Sequence, residues 1–492
     1  MQRQPIKKLV IAGGGSAGWC AAAALSKFLG PLVEITLIES DEIGIVGVGE
    51  ATIPTVLSFH QFLGLDEREF VRATNATFKL GIAFENWARQ GDRYVHSFGE
   101  IGESTWVAPF HNVWLQARKD GLADELGAFC LELQASEAGK FAAGDRTRLN
   151  YAYHFDASLY GQFLRKYAEA RGVKRVEGKI TQVDQDPESG FITRLKLDNG
   201  ATVDGDLFID CTGFGGLLIE KTLATGYEDW SHWLPTNRAL AVPTGHAGPI
   251  VPYTRAVAHR AGWRWQIPLQ NRVGNGLVYS SAHMSDDDAR QCLLDAVDAP
   301  PLAEPRLIRY QTGRRRRIWN KNCVAMGLSS GFIEPLESTS IHLFQVAVTR
   351  LIQLFPFEGV NDAIVQHYND LATHEIERVR DFVILHYKLN QRTDSAFWKE
   401  RADVEVPDSL KARLALFKEN AVAYQGSGDL FRIDSWVQVM LGQRHEPVAW
   451  HELAKLMKPD DLTRGLNSLK AAIQKKVEML PTHEKFLHDY MA

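Results

Sequence analysis

The sequence predicts an α/β protein: a Rossmann-like dinucleotide-binding domain with an inserted antiparallel β-sheet, followed by a mainly α-helical C-terminal region. Three observations predict this fold. A strand, a glycine-rich loop, a helix and a second strand open the chain, short alternating runs fill residues 225–300, and helical periodicity dominates after about residue 340. We expect residues 1–360 to form the nucleotide-binding module with its inserted sheet, and residues 361–492 to form the helical region.

Composition is that of an ordinary globular protein. The 492 residues carry a net charge of −5, with 45% hydrophobic and 23% charged residues. These values disfavour disorder and a nucleic-acid binder driven by bulk charge. The five cysteines are odd in number and lack metal-ligand spacing, so we expect reduced thiols, no disulfide scaffold and no metal site. Neither a secretion signal nor an apolar membrane span is recognisable, which predicts a soluble, cytoplasmic protein.

The glycine-rich loop fits the GxGxxG pattern of dinucleotide-binding proteins. It follows a strand and opens a helix, and an acidic residue ends the next strand 21 residues after the last glycine. The first glycine permits a tight turn, the second lets the backbone approach a pyrophosphate, and the third lets helix and strand pack closely. The free amides of the helix face the phosphates, and the acid accepts from ribose hydroxyls. The predicted cofactor residues are Gly13, Gly15, Ser16, Ala17, Gly18 and Glu39.

Two later segments favour FAD over NAD. Residues 206–213 and 322–331 each consist of an apolar strand closed by glycine, as if both returned to the same nucleotide domain. Such a discontinuous layout suits an FAD domain better than a compact NAD domain. The alternative is that they are two ordinary buried strands with turns.

Three further patterns are ambiguous when taken alone. Residues 262–268 place Trp263 and Trp265 on one face of a strand, which is typical of a core. Lys79 lies in an apolar stretch, although such a lysine is usually a surface residue with a buried stem. Ser338 or Thr339 would begin the helix at 341–355, which makes either a capped helix or a small-anion site. The basic run at 314–317 is interpreted as solvated or internally paired.

Taken together, these motifs resemble the flavin-dependent halogenases of the tryptophan-halogenase type. The resemblance rests on GGGSAGW, VGVGEATIP, FKLGIAFENW, GWRWQIPL, DLFIDCTG and GLSSGFIEPLEST, which extend from about residue 5 to 345. The GWxWxIP motif is close to diagnostic, whereas the glycine loop is common to many flavoproteins. The resemblance implies that Trp263, Trp265, Lys79 and Glu337 are functional residues, and that the helical region covers the substrate.

The family's chemistry implies FAD, O2 and chloride or bromide as cofactors. A separate NAD(P)H-dependent flavin reductase supplies FADH2, and halide held near Thr339 and Ser340 is converted to hypohalous acid. The oxidant then reaches Lys79, whose amine hydrogen-bonds it or forms a haloamine. A partly buried lysine suits either role, because a neutral amine is nucleophilic while an ammonium donates. The substrate is a small aromatic molecule, and no nucleic-acid or membrane partner is expected.

The resemblance also assigns roles to single residues. Glu337 assists the activation or takes the ring proton, and Ser338 positions the pair that Lys79 and Glu337 form. Trp263 and Trp265 separate substrate from flavin. The remaining assignments are Glu50, Ala51 and Leu328 at the flavin, and His96, Phe98 and Trp436 at the substrate.

Two departures from the family pattern concern specificity. Trp436 and Val437 stand where tryptophan-specific members carry a tyrosine pair, so the sequence predicts an indole or indole derivative as substrate. Ser340 replaces a glycine at the halide position, which predicts a preference for bromide. The alternative activity is a flavoprotein monooxygenase that hydroxylates an aromatic. A flavin-binding sensor without turnover is disfavoured because Lys79 and Glu337 are both present.

Overall fold

The computed structural model describes residues 4–43, 49–104, 108–144 and 148–492, and it has the predicted mixed α/β architecture. The strands are β1 (Lys8–Ala12), β2 (Glu34–Glu39), β3 (Gly49–Ala51), β4 (Thr77–Lys79), β5 (Gly81–Glu85), β6 (Arg93–Ser97), β7 (Ala152–Asp156), β8 (Lys174–Glu177), β9 (Ile180–Gln185), β10 (Ile192–Leu197), β11 (Thr202–Asp204), β12 (Leu207–Asp210), β13 (Tyr227–Asp229), β14 (Arg238–Thr244), β15 (Thr254–His259), β16 (Gly262–Pro268), β17 (Val273–Tyr279), β18 (Arg306–Arg309), β19 (Gly313–Arg315), β20 (Trp319–Asn320), β21 (Cys323–Ala325) and β22 (Gly331–Phe332).

The α-helices are α1 (Ser16–Leu29), α2 (Thr55–Leu63), α3 (Glu67–Ala73), α4 (Phe110–Lys119), α5 (Leu131–Glu137), α6 (Ala157–Glu169), α7 (Asp286–Ala296), α8 (Ser340–Gln353), α9 (Asp362–Lys388), α10 (Ala396–Asp403), α11 (Asp408–Asn420), α12 (Ile433–Gly442), α13 (Pro459–Met479) and α14 (His483–Met491). Short 3-10 turns and a π-helical segment at Leu217–Thr222 complete the secondary structure that matters for the site.

The contacts between residues divide the chain into two compact units. Unit 1 comprises Met1–Ala76, Phe155–Asn237 and Arg309–Glu377. Unit 2 comprises Thr77–His154, Arg238–Ile308 and Arg378–Ala492. The predicted linear division at residue 360 follows chain order, whereas this grouping follows contacts, so the linear division stays a prediction.

Unit 1 is built on a six-stranded sheet in the order β20-β21-β12-β1-β2-β8, parallel except at β20. The apolar runs in β1 and β12 are continuous rather than alternating, as expected for parallel strands buried on both faces. β12 pairs directly with β1, and β21 pairs with β12. This pairing confirms that the segments around residues 206–213 and 322–331 return to the nucleotide domain.

Unit 2 is built on a seven-stranded sheet in the order β18-β14-β17-β16-β15-β5-β6. The hairpin-linked strands β14 to β17 lie within the predicted inserted sheet. The sheet is larger than predicted, because β5 pairs in parallel with β15 across about 170 residues of chain. Local periodicity carries no information about such a pairing. Helices α9 to α14 lie within residues 361–492, where the sequence predicts helices.

The basic run at 314–317 supplies buried cations to unit 1. Arg314 forms ion pairs with Glu228 at 2.8 Å and Glu377 at 3.0 Å, and Arg315 pairs with Glu220 at 2.8 Å. Internal pairing of these two arginines is therefore confirmed. Within the described ranges, no helix is long and apolar enough to cross a membrane, and no group of His, Cys, Asp or Glu is arranged to hold a metal.

Candidate active site

The loop between β1 and α1 has the backbone that its glycines predict. Gly13 adopts φ +108°, and a Cβ there would lie 2.3 Å from the Cys211 carbonyl oxygen. A Cβ on Gly18 would lie 1.9 Å from the Gly13 carbonyl oxygen. In contrast, a Cβ on Gly15 would meet no described atom within 4 Å. The first and last glycines therefore permit close packing, and the middle one faces open space.

Glu39 is held in place by protein contacts at the end of β2. Its carboxylate accepts hydrogen bonds from the Trp19 indole at 3.1 Å and from Arg175 at 2.5 Å. A Cβ on Gly14 would lie 1.6 Å from Glu39 Oε2, so only a glycine leaves room for this carboxylate. Sequence reasoning found Glu39 and missed Gly14, whose GGG context was the available signal.

A cavity of 950 Å³ lies within unit 1. Its walls come from the glycine loop, the end of β2, the β12 turn, the 326–333 segment and the first turn of α8. The predicted residues that line it are Gly13, Gly15, Ser16, Ala17, Glu39, Glu50, Leu328 and Ser340. Gly18 and Ala51 are buried in α1 and β3. Of the VGVGEATIP motif at residues 46–54, residues 46–48 lie outside the described residues.

Two buried side chains that the motif reading missed hold the cavity walls. Asp210, at the end of β12, accepts from the backbone amides of Thr212, Leu218 and Ile219 at 2.8–2.9 Å. Arg315 donates to the Ser329 carbonyl at 3.0 Å. A buried ionic side chain with backbone partners is a rigid anchor, and its signal in the sequence was an acid ending an apolar strand.

The first turn of α8 begins at the predicted anion site. Thr339 occupies the N-cap position, but its side chain makes no cap hydrogen bond to the helix. Capping of α8 by Thr339 is therefore wrong. Ser338 adopts a left-handed conformation with φ +59°, and Glu337 is buried in a 3-10 turn at Pro335–Glu337. A non-glycine residue in that conformation costs free energy and is a common feature of functional sites.

The cavity has the features of a dinucleotide-binding site. Gly15, at the N-cap of α1, has no side chain that could cap the helix, and its open face lies beside the first amides, an arrangement that suits a pyrophosphate. Burial raises the pKa of the Glu50 carboxyl at the cavity wall to about 7. The returning strands β12 and β21 carry further walls of the same cavity.

Trp263 and Trp265 lie on one face of β16 in unit 2, as predicted. Both are buried, and their ring centroids are 6.2 Å apart. Trp265 has small neighbours across both ladders, Ala256 and Gly276, whereas Trp263 lies between Ala258 and Val278. A Cβ on Gly276 would lie 1.9 Å from the Trp265 ring. The Trp265 indole therefore occupies space that small neighbouring residues leave open.

Lys79 ends β4 and is completely buried, with 0% relative exposure. The surface-lysine interpretation is therefore wrong. Its Nζ lies 5.2 Å from the centroid of the Phe98 ring, within the range of a cation–π interaction. Burial of a lysine is costly, which makes a buried one beside an aromatic ring a candidate functional group.

The predicted aromatic residues of unit 2 lie around a stacked phenylalanine pair. Phe382 and Phe431 have ring centroids 3.7 Å apart. His96 lies 5.5 Å from Phe382, and Trp436 meets the same ring edge-on at 4.9 Å. The Trp436 Nε1 is buried and has no hydrogen-bond partner among the described residues.

Helix α12, which carries Trp436, is fixed to β6 by Gln438. Its amide oxygen accepts from the Ser97 backbone amide and hydroxyl, both at 2.9 Å. Ser97 lies between His96 and Phe98, so this pairing sets the three predicted substrate residues relative to one another. Sequence reasoning missed Gln438, because a polar residue on a helix gives no sign of which strand it meets.

The predicted residues thus fall into two groups, one in each unit. Unit 1 contains the cofactor residues, Glu337, Ser338, Thr339 and Ser340. Unit 2 contains Lys79, His96, Phe98, Trp436 and the tryptophan pair. The meeting of Lys79 with Glu337 stays a prediction.

The glycine loop, the returning strands and the cavity define a dinucleotide-binding α/β protein. Comparisons with known proteins make the class more specific. The tryptophan halogenase family model matches residues 8–459. The chain is 38% identical over 443 residues to tryptophan 6-halogenase SttH of Streptomyces toxytricini, covering 84% of each chain.

Solved structures agree. Xcc4156, a flavin-dependent halogenase from Xanthomonas campestris, superposes with a TM-score of 0.98 at 49% identity, covering 99% of each chain. BrvH, a flavin-dependent halogenase from Brevundimonas sp. BAL3, superposes with a TM-score of 0.95 at 42% identity, again covering 99% of each chain. The chain belongs to the tryptophan halogenase family of flavin-dependent halogenases, which are enzymes that require FADH2, halide and O2.

Proposed function

We propose that this halogenase forms hypohalous acid and transfers the halogen to an electron-rich aromatic, indole or a compact indole derivative. The observation that carries the proposal is Lys79, a completely buried amine 5.2 Å from the Phe98 ring. An amine in that setting can hold an electrophilic halogen beside an aromatic substrate. A separate NAD(P)H-dependent flavin reductase supplies the reduced cofactor, as is expected of this family.

Gly13, Gly15, Ser16 and Ala17 hold the pyrophosphate of FAD, and Glu39 accepts from its ribose. When bound, reduced FAD supplies two electrons to oxygen, so that FADH2, O2, a halide ion and a proton give FAD, hypohalous acid and water. The amides at the start of α8, which the Thr339 side chain does not cap, would attract the halide near Thr339 and Ser340. The buried indoles of Trp263 and Trp265 keep the organic substrate from the flavin.

Lys79 then presents the halogen to the ring, either by hydrogen bonding hypohalous acid or as a haloamine formed with loss of water. The ring carbon takes the halogen and loses its proton, so an aromatic C–H and hypohalous acid give a C–X bond and water. Glu337 accepts that proton, and Ser338 positions the pair that Lys79 and Glu337 form. His96 and Phe98 stack the ring.

The substrate proposal rests on Trp436. Its ring is packed between Phe382 at 4.9 Å and the Arg413 guanidinium at 4.5 Å. An indole fixed in this way offers apolar surface and one N–H, not a pair of phenol hydroxyls for an amino-acid backbone. We therefore expect a higher specificity constant for indole than for tryptophan.

The halide proposal rests on Ser340 at the cavity wall. A Cβ and hydroxyl there restrict backbone that glycine would leave free, and loosen the packing of amides around the anion. Bromide is less strongly hydrated and easier to oxidise than chloride, so a looser site penalises chloride more. We expect bromide to be preferred, and Ser340→Gly to raise chloride turnover relative to bromide turnover.

One assay tests these proposals. The protein is incubated with flavin reductase, FAD, NADH, an aromatic substrate and either halide, and products are measured by mass spectrometry. Halogenated product that requires halide supports the proposal, and a hydroxylated product formed without halide indicates the monooxygenase alternative. The same assay compares indole with tryptophan, bromide with chloride, and Ser340→Gly with wild type. Equal or better use of tryptophan, or of chloride by the wild type, contradicts the corresponding proposal.

Lys79→Ala is expected to lose halogenation while keeping FAD binding, because the cavity residues belong to unit 1 and Lys79 to unit 2. FAD binding by Lys79→Ala is measured by fluorescence titration. Full halogenation by Lys79→Ala would contradict the central role of that residue.

Glu337→Gln is expected to lower turnover strongly, since an amide does not accept the ring proton.

A further inference from the structure

The strand that carries Lys79 is paired with a strand that carries a buried histidine. β4 and β7 run antiparallel, with Thr77 opposite His154 and Lys79 opposite Ala152. Because side chains alternate along a strand, these four lie on the same face of the ladder. Ala152, directly opposite Lys79, is small, and His154 is the next residue of β7 on this face. Thr77, Lys79, Ala152 and His154 all have 0% relative exposure.

His154 has its tautomer fixed by two threonines. The Thr77 hydroxyl donates to the Pro268 carbonyl at 2.6 Å, so its oxygen is left to accept from His154 Nδ1–H at 3.0 Å. His154 Nε2 then accepts from the Thr254 hydroxyl at 2.9 Å. Each proton in this chain of hydrogen bonds thus has one donor and one acceptor, so the imidazole ring of His154 is neutral and fixed in orientation.

The two ends of this chain belong to the sheet that carries the tryptophan pair. Pro268 ends β16, the strand of Trp263 and Trp265. Thr254 begins β15, and it lies on the same strand face as Ala256 and Ala258, the partners of those tryptophans. The hydrogen bonds therefore link the Lys79 strand to both strands of the tryptophan site.

Charge reinforces the geometry. Burial, followed by the nearby positive charge of Lys79, lowers the pKa of His154 well below its usual value. On the other side of β4, His483 Nε2 accepts from the Phe78 amide at 3.1 Å, and burial lowers its pKa to about 4. Both histidines that hold the strand are thus uncharged beside a buried lysine, so neither repels its ammonium form.

We propose that His154 is a positioning residue for Lys79, holding the β4 strand against β15 and β16 through Thr77 so that the amine keeps its place relative to the tryptophan pair. The proposal rests on the proposed role of Lys79. It concerns where the oxidant goes after it forms, and it assigns His154 no contact with substrate or cofactor.

The test uses variants that keep one ring nitrogen at a time. In His154→Asn the amide N–H takes the place of Nδ1–H and keeps the bond to Thr77, while in His154→Gln the amide lies at the Nε2 position and that bond is lost. A second pair changes the partner: Thr77→Ser keeps the hydroxyl, and Thr77→Val removes it at nearly constant shape. The pair does not depend on His154 substitutions folding.

The readout is the ratio of brominated indole to hypobromous acid captured by a monochlorodimedone trap, with the holoenzyme, flavin reductase, NADH and bromide. A merely structural role would lower both quantities together. We expect His154→Gln and Thr77→Val to lower the ratio about tenfold or more, since small misplacements near a reacting atom have effects of that size. His154→Asn and Thr77→Ser are expected to stay within about threefold of wild type.

Two outcomes overturn the positioning role. The first is an unchanged ratio in both His154→Gln and Thr77→Val. The second is an equal loss in the matched pair Thr77→Ser and Thr77→Val, which would show that the hydroxyl is not what matters. Lys79→Ala separates this failure from failure of the proposed function. If Lys79→Ala keeps the wild-type ratio, the role of Lys79 itself is wrong; if it loses product while the Thr77 pair does not, only the positioning role is wrong.

Discussion

At the residue scale, two glycines of one loop have different surroundings. Gly13 is in the left-handed half of conformational space and has the Cys211 carbonyl where a Cβ would go. Gly15 has ordinary backbone space, and its missing side chain faces the cavity. The fold requires a glycine at position 13, and we infer that the ligand requires one at position 15. A sequence motif gives both the same letter, and only coordinates separate the two reasons.

We predict that Gly13→Ala and Gly15→Ala have separable effects. Gly13→Ala should lower the free energy of unfolding by about 1–3 kcal/mol, the usual size of a steric and backbone conflict. Gly15→Ala should leave the thermal midpoint of the apoprotein near wild type and weaken FAD binding, because its methyl group occupies cavity space. Thermal unfolding without FAD and a fluorescence titration with FAD measure the two effects. Equal destabilisation by both variants would contradict this assignment.

At the element scale, strand pairing creates the room for the tryptophan pair. β15 and β17 flank β16, and they place Ala256 and Gly276 next to Trp265, and Ala258 and Val278 next to Trp263. The alternation of GWRWQIP predicts that the indoles lie on one face. It does not predict that the residues next to Trp265 on the neighbouring strands are small, because the register of strand pairing decides which residues lie there.

Gly276→Ala is expected to displace Trp265, since the added Cβ would lie 1.9 Å from its ring. We expect a loss of about 1–3 kcal/mol in the free energy of unfolding, as for overpacking of a core. If the indole also separates substrate from flavin, coupling of NADH oxidation to product falls. Gly248→Ala is a matched control in unit 2, where a Cβ would meet no described atom within 4 Å. Identical unfolding of the two variants would refute the packing argument.

At the scale of the whole molecule, buried uncharged histidines recur in both units. Burial lowers the pKa of His60 to about 3, and that of His259 and His483 to about 4. Each of these histidines is neutral in the folded protein and gains a proton near pH 6.5 when unfolded. Their contribution to stability is therefore complete above about pH 6.5 and is lost as the pH falls toward their folded values.

We predict a steep loss of stability between about pH 6.5 and pH 4, with each such histidine contributing up to about 1.4 kcal/mol per pH unit. Denaturant unfolding across this range measures the slope. His483→Asn should reduce the slope relative to wild type, because asparagine does not titrate. A slope unchanged by His483→Asn would show that another group dominates acid unfolding.

Sequence reasoning predicted the glycine loop, the acid that ends β2, the returning strands, the single face of Trp263 and Trp265, and the helical C-terminal region. Each of these is a local pattern: a loop between a strand and a helix, an apolar run, or an alternation. The surface interpretation of Lys79 and the capping of α8 by Thr339 were wrong. The burial of Lys79 depends on neighbours that are distant in the chain, and Thr339 has helical rather than extended backbone angles, which do not suit a capping side chain.

What the sequence determined by itself is therefore the class of the protein and the residues that carry its motifs, since local periodicity and motif chemistry are properties of consecutive residues. The tertiary structure decided that Lys79 is fully buried, that Gln438 fixes α12 against Ser97, and that Thr77, His154, Thr254 and Pro268 form one hydrogen-bonded chain. Those residues come from separate segments of the chain. Their contacts exist only after strand register and side-chain packing are fixed, and neither is encoded in the spacing of neighbouring residues.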